Sequence, residues 1–131
     1  MPAINPIAIL VATVAALIIG TLYYMPSTPT GAKWAQLLKT PAVMRAPGQA
    51  MALQVVLSIV SMVVLAVLVR ATGATGAAGG ATVGFGLWIV VALADASNSN
   101  FSGRPWALWM VNQVNWLVTF LVAGAIVGSL G

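Results

Sequence analysis

Six charged side chains are the residues of this 131-residue sequence with the clearest potential for chemistry. One is an acid, Asp95, and the five cations are Lys33, Lys39, Arg45, Arg70 and Arg104. The sequence contains no Cys and no His. The usual residues therefore cannot supply an acid–base pair, a nucleophile with its base or a cage of metal ligands. This composition predicts a protein that is not an enzyme, with no catalytic residue, no metal and no cofactor, and it identifies no cofactor-binding residue.

Asp95 lies near the end of an apolar segment, at about the depth of Asn112 in the next one when helical turns are counted. Carboxylates inside a bilayer are costly, so they usually face polar partners within the protein. Polar residues of the next segment recur at helical spacing, which places them on one stripe. We therefore expect an intramembrane polar cluster made of Asp95, Asn112, Asn115, Thr119 and Arg104.

The predicted polar cluster has two interpretations. In the first, Asp95 accepts hydrogen bonds from Asn112, Arg104 or Arg45 and fixes the register of two helices. In the second, Asp95 is a protonatable site on the path of an ion or a substrate.

Four long apolar segments dominate the sequence, which is 61% hydrophobic and has a mean hydropathy of +1.05. A membrane-spanning helix needs about 20 mainly apolar residues. The four segments predict helices over about 5–24, 47–70, 79–97 and 105–130. Short connectors force consecutive helices to run antiparallel. The predicted fold is all-α: a polytopic membrane protein whose single transmembrane domain, residues 1–131, is an antiparallel bundle of four transmembrane helices.

The connectors predict how the bundle is oriented. The first connector, residues 25–46, and the third, a tight polar turn at residues 98–104, together hold four cations. The opposite side, which includes the flexible second connector at residues 71–78, holds Arg70 alone. Because cytoplasmic loops carry the excess of Lys and Arg, both termini are predicted to be extracytoplasmic. Within the first connector, residues 30–39 place Trp34 opposite Lys33 and Gln36 on a helical projection. This pattern predicts a short helix in the membrane interface, and an ordinary basic loop is the alternative.

Small residues recur at every fourth position in three of the segments. Such ridges let the backbones of two helices approach closely, either inside one bundle or between two chains. The predicted helix-packing ridges are Ala8, Ala12, Ala16 and Gly20 in the first segment, Gly80 and Gly84 in the third, and Gly124 and Gly128 in the fourth.

These features favour a non-catalytic role exerted through helix packing. The predicted partners are the lipid bilayer and either a second copy or other subunits of a larger membrane complex. Nucleic acid is excluded as a partner, because the calculated pI of about 10.4 reflects missing acids and not a dense basic face. Two alternatives remain: a small carrier or channel that uses Asp95, and a bundle that binds a lipid, quinone or pigment near Trp88, Trp109 and Trp116.

Two segments carry a family resemblance. The run Gly20-Thr-Leu-Tyr-Tyr-Met-Pro26 followed by Gly31-Ala-Lys-Trp34, and the run Asn100-Phe-Ser-Gly-Arg-Pro105 followed by Asn112, resemble motifs of domain-of-unknown-function family 1761. The chain departs from the family in having Trp116, or its neighbour Asn115, where the family tends to carry a His. The resemblance implies a four-helix protein of a bacterial-type inner membrane, and it implies no mechanism.

Overall fold

The structure is a computed structural model that describes residues 4–38 and 47–131. Within those ranges the chain forms five helices: α1 Pro6–Tyr24, α2 Pro29–Leu37, α3 Pro47–Ala71, α4 Gly76–Ser102 and α5 Trp106–Leu130. All but α2 are long and apolar enough to cross a membrane. The predicted all-α fold with four membrane-spanning helices is confirmed.

Capping side chains define where the first two helices begin. The side chain of Asn5 accepts a hydrogen bond from the backbone N–H of Ile7 at 3.0 Å, and Thr28 accepts one from the N–H of Gly31 at 3.2 Å. Both helices begin with a proline, whose fixed φ suits the first helical turn. Helix α2 ends at Leu37. Two residues that the sequence analysis singled out, Lys39 and Arg45, lie outside the described residues.

Helix α4 is longer than the predicted span 79–97. We expected residues 98–104 to form a polar turn, because Asn and Ser favour turns over helix interiors. The helix instead continues to Ser102, and Ser99 is buried in the bundle. It ends where Gly103 adopts the left-handed conformation with φ of 69°, followed shortly by Pro105. At its start, α4 begins at Gly76, so the preceding connector is shortened to residues 72–75.

Helix α5 is the central element of the bundle. Helix α4 packs along one side of α5 and α1 along the other, while α3 contacts both α1 and α5. The spanning helices alternate in direction, because α1 begins beside the end of α5 and α4 begins there as well. The bundle therefore has two ends, which we name the Arg70 end and the α2 end.

The Arg70 end is closely packed. Residues of α1, α3 and α5 form one buried apolar cluster there: Ala12, Met62, Leu65, Ala66, Val69, Ala123 and Val127. Polar groups close the same end, since Asn5 Nδ2 donates to the carbonyl of Leu130 at 2.9 Å and Arg70 donates to the carbonyl of Gly131. The contacts of α3 with the bundle are therefore concentrated in its second half.

The first half of α3 lies apart from its neighbours. Met51, Val56 and Leu57 are each more than half exposed, and they lie on different sides of the helix. Ser58 is the buried residue of this stretch. The bundle consequently opens towards the α2 end, between α1, α3 and α5.

Candidate functional site

Close backbone contact joins α4 to α5. A Cβ atom added at Gly80 would lie 2.8 Å from the carbonyl carbon of Gly124 and 2.9 Å from the Cα of Gly128. One at Gly84 would lie 2.9 Å from the carbonyl carbon of Phe120. Real Cβ atoms do not approach backbone atoms so closely. The four predicted glycines of these helices therefore face each other within one chain.

The ridge on α1 has two different environments. Ala8 and Ala12 are fully buried, with exposures of 1% and 0%, and Ala12 belongs to the apolar cluster at the Arg70 end. Ala16 is half-buried, and a Cβ added at Gly20 would meet nothing within 4 Å. Gly20, the last residue of this ridge, thus borders open space, whereas Ala16 packs against the apolar cluster.

Asp95 is bound by two partners. Arg104 Nη2 donates to Oδ1 at 3.2 Å, and Gln113 Nε2 of α5 donates to Oδ2 at 2.8 Å. The Asp95 side chain is 28% exposed, whereas Gln113 is 3% exposed. The carboxylate therefore ties α4 to α5 and to the turn between them. Arg45, the other expected partner, lies outside the described residues.

Of the three expected partners of Asp95, Arg104 bonds it and Asn112 does not. The Oδ1 of Asn112 instead accepts a hydrogen bond from the hydroxyl of Tyr24 at 2.8 Å, and Tyr23 donates to the carbonyl of Val111. The spacing of the polar stripe does not reveal which side of α5 faces α4. Gln113 is turned by about 100° from Asn112 and faces α4 in its place. The predicted cluster is thus divided between two sides of α5.

The three tryptophans proposed as a ligand site also separate. Trp88 donates to the carbonyl of Gln113 at 2.9 Å, and Trp109 donates to the carbonyl of Ala92 at 3.0 Å. Both join α4 to α5. Trp116 lies on another side of α5, where its ring stacks on Phe120 with centroids 5.7 Å apart. The structure does not bring these three rings together around one site.

A cavity of about 420 Å³ occupies the opening between α1, α3 and α5. Ligand pockets in proteins commonly have volumes of about 300–1,000 Å³. Its wall includes Gly20 and Tyr24 of α1, Trp34 of α2 and Trp116 of α5. The rings of Tyr24 and Trp34 pack edge to face at 4.9 Å, so α2 closes part of this end. This cavity is therefore our candidate for a binding site in the described part of the chain.

Polar side chains from α3 and α5 line this cavity, as do Thr21 and Tyr24 of α1. Helix α3 contributes Gln54, Ser58 and Ser61, and α5 contributes Asn115 and Thr119. Gln54 Nε2 donates to Ser58 Oγ at 3.3 Å. The sequence analysis missed the α3 residues, although their spacing of four and three places them on one helical face.

Asn115 has an unusual environment for a polar residue. Its exposure is 5%, and its Oδ1 has no hydrogen-bond partner among the described residues. An unsatisfied buried polar group costs about 1–3 kcal/mol. Gln113 Oε1 is the other such atom in these ranges, but Gln113 does not line the cavity. Asn115 is therefore the residue of the cavity wall that most clearly lacks a partner.

Four apolar helices of spanning length, arranged as an antiparallel bundle, define a polytopic integral membrane protein. The chain belongs to the family described as "Protein of unknown function (DUF1761)", whose model matches residues 7–128. The family expected from the sequence motifs is confirmed. No curated protein and no solved structure matches the chain.

The orientation of the bundle in a cell remains a prediction. Reporter fusions after Gly131 and within residues 72–75 should report an extracytoplasmic location, and a fusion near Thr40 a cytoplasmic one. The reason is the positive-inside rule, since Lys33 and Arg104 lie at the α2 end and Arg70 at the other. A cytoplasmic signal from the fusion after Gly131 would reverse the assignment.

Proposed function

We propose that this protein is a non-catalytic membrane protein that binds a lipid-soluble small molecule in the cavity between α1, α3 and α5. The observation that carries the proposal is the cavity of about 420 Å³, whose wall combines apolar side chains with the polar side chains of Gln54, Ser58 and Asn115. A ligand with an apolar body and a polar group matches such a wall. The protein would then act by binding this molecule and not by catalysing a reaction.

The shape of the bundle supports the same proposal. Helix α3 packs tightly in the bundle at the Arg70 end. The first half of α3 is exposed on most sides and does not continue this packing along α1. Gly20 widens the opening further, because it has no side chain and no neighbour within 4 Å of an added Cβ. Neighbouring helices thus leave space beside a row of polar groups, which is the common arrangement of a ligand site in a helix bundle.

Filling the cavity should remove the ligand. In Gly20→Leu the new side chain enters open space, so the fold should be retained while the cavity volume falls. Native mass spectrometry of protein purified in a mild detergent is expected to show a bound small molecule on the wild type. The Gly20→Leu variant should lose most of that adduct.

Gly86→Leu is the matched control. Gly86 is also a mid-helix glycine with nothing within 4 Å of an added Cβ, and it does not line the cavity. This variant should keep the adduct at the wild-type level. Equal adducts on all three proteins would place the molecule elsewhere, and a bare wild-type protein would reject the proposal.

Association with a second copy or with other membrane subunits is a separate proposal. The glycines of α4 and α5 already face each other within the chain, so a partner would have to use lipid-facing side chains such as Val56 or Val60 of α3. The mass of the purified particle tests this proposal, because a single-chain mass excludes a stable homo-oligomer. Residence in a bacterial-type inner membrane is likewise proposed.

A further inference from the structure

The helices around the cavity contain no acidic residue. Residues of α1, α2, α3 and α5 line the cavity, and the sequence places no Asp or Glu in any of these four helices. Asp95, the only acid of the sequence, lies in α4 and is bound there by Arg104 and by Gln113. An anionic group at the cavity would therefore meet no carboxylate of the helices that line it.

Lys33 is a cation beside the cavity. It directly precedes Trp34 in α2, and Trp34 lines the cavity at the α2 end. The side chain of Lys33 is exposed, and it forms no ion pair with a described residue, whereas Arg104 pairs with Asp95. The ammonium group of Lys33 can therefore bind an anionic group of a ligand without giving up an existing ion pair.

The connector between α2 and α3 carries two more cations, Lys39 and Arg45, which lie outside the described residues. No acid precedes Asp95 in the sequence, so every charged residue of α1, α2, this connector and α3 is a cation. The connector can therefore add to the attraction of Lys33 for an anion, but it cannot cancel it.

The cavity is elongated along the helices. It is lined from Ala16 to Tyr24 on α1 and from Met51 to Met62 on α3, which correspond to about 12 and 16 Å at the helical rise per residue. Its wall is mainly apolar. Because the α2 end is an end of the bundle, a ligand can place an acyl chain along the cavity and keep its head group at the membrane interface.

We infer that the ligand is an amphiphile with an anionic head group, which lies beside Lys33 while one acyl chain extends into the cavity. This inference rests on the proposed function and adds the chemical class of the ligand to it. Carboxylate and phosphate head groups share this chemistry, so a free fatty acid and an anionic phospholipid are the two sources of such a ligand.

Four photoreactive lipids with the same diazirine-bearing acyl chain test the class: a fatty acid, its primary alcohol, its trimethylammonium analogue and a phosphatidylglycerol. The protein is labelled in phosphatidylcholine nanodiscs at alkaline pH, where the fatty acid is ionised. At least one anionic probe should label the wild type about fivefold more than the alcohol, because one cation near a membrane surface contributes about 1 kcal/mol. The anionic probe that labels more strongly identifies the source.

Substitutions at Lys33 examine the contact with the head group. Lys33→Gln should lower labelling by the stronger anionic probe about fivefold and leave labelling by the alcohol unchanged. Lys33→Arg is the matched control, because it keeps the positive charge, and it should label like the wild type. Lys33 is exposed, so both variants should unfold at the wild-type temperature. If Lys33 served only to orient the protein in the membrane, Lys33→Gln would label like the wild type.

Gly20→Leu distinguishes the cavity from the charged surface around it. This variant keeps every cation of the chain and fills the open space beside residue 20. Labelling by the anionic probe should therefore fall to a small fraction of the wild-type level. Gly86→Leu is the control, since Gly86 does not line the cavity, and it should label like the wild type.

The outcomes separate the inference from the proposed function. Equal labelling by the anionic probes and the alcohol, with both reduced in Gly20→Leu, would overturn the anionic class and leave a cavity ligand in place. Stronger labelling by the trimethylammonium analogue, or wild-type labelling of Lys33→Gln, would overturn the inference in the same way. Anionic labelling that Gly20→Leu leaves unchanged would overturn the proposed function as well. No labelling by any probe would overturn the inference alone, because native mass spectrometry tests the proposed function separately.

Discussion

The substitution Gly80→Ala should destabilise the protein by about 3 kcal/mol, the upper part of the usual range for an overfilled core. The added Cβ would lie 2.8 Å from the carbonyl carbon of Gly124 and 2.9 Å from the Cα of Gly128. These neighbours are backbone atoms, so no side chain can rotate away. The helices must separate along their most extensive contact. Thermal unfolding in detergent micelles measures the loss.

Gly86→Ala on the same helix provides the matched control. An added Cβ at Gly86 meets nothing within 4 Å, and alanine favours a helix over glycine by about 0.5–1 kcal/mol. This variant should be as stable as the wild type or slightly more so. If Gly80→Ala unfolded at the same temperature as Gly86→Ala, the close contact between α4 and α5 would be wrong.

Replacing Asp95 with leucine should cost about 1–3 kcal/mol, because Gln113 would lose the partner of its Nε2 while 97% buried. Asp95→Asn keeps an acceptor oxygen for Gln113 and loses the ion pair with Arg104. Both members of that pair are partly exposed, so its loss should cost less than about 1 kcal/mol. Thermal unfolding should therefore show that the Asp95→Asn variant is clearly more stable than the Asp95→Leu variant.

The same pair of variants tests the carrier alternative. If Asp95 carried protons across the membrane, Asp95→Asn would abolish the flux while the fold stayed intact. We expect wild-type protein and Asp95→Asn to give equal proton flux in proteoliposomes that contain a pH-sensitive dye. A flux present only in the wild type would favour a transport role and contradict a purely structural one.

The helices could be predicted from the sequence because a helix that crosses a bilayer must be apolar over about 20 residues. The ends of the helices were harder to predict where polar residues lie within a helix. Asn98 and Asn100 suggested a turn, yet the backbone stays helical up to the left-handed Gly103. Polar residues at a membrane boundary can be hydrated within a helix, so polarity alone does not end one.

The candidate site was only partly predictable. Asn115 and Thr119 were singled out, but with Asp95 as their companion and not with the α3 residues. The missing information was which helix lies on which side of α5. A polar stripe shows which side chains share one face of a helix, but it does not show which neighbouring helix that face contacts. Ser58 shows what could have been noticed: a serine between Gln54 and Ser61 on one face of an otherwise apolar span.

The unequal lengths of α1 and α4 bear on how the protein fits a bilayer. Helix α1 has 19 residues and α4 has 27. Yet α4 has no charged residue before Asp95, so its uncharged part, residues 76–94, is as long as α1. Both present an apolar height of about 28 Å, close to the hydrocarbon thickness of about 30 Å.

Each of these apolar stretches is therefore long enough to cross the hydrocarbon layer. With residues 76–94 across that layer, we expect the last turns of α4 to lie at the level of the lipid head groups, where phosphate oxygens would compete with Asp95 for the guanidinium of Arg104. The strength with which α4 is tied to its turn should consequently depend on the charge of the surrounding lipids.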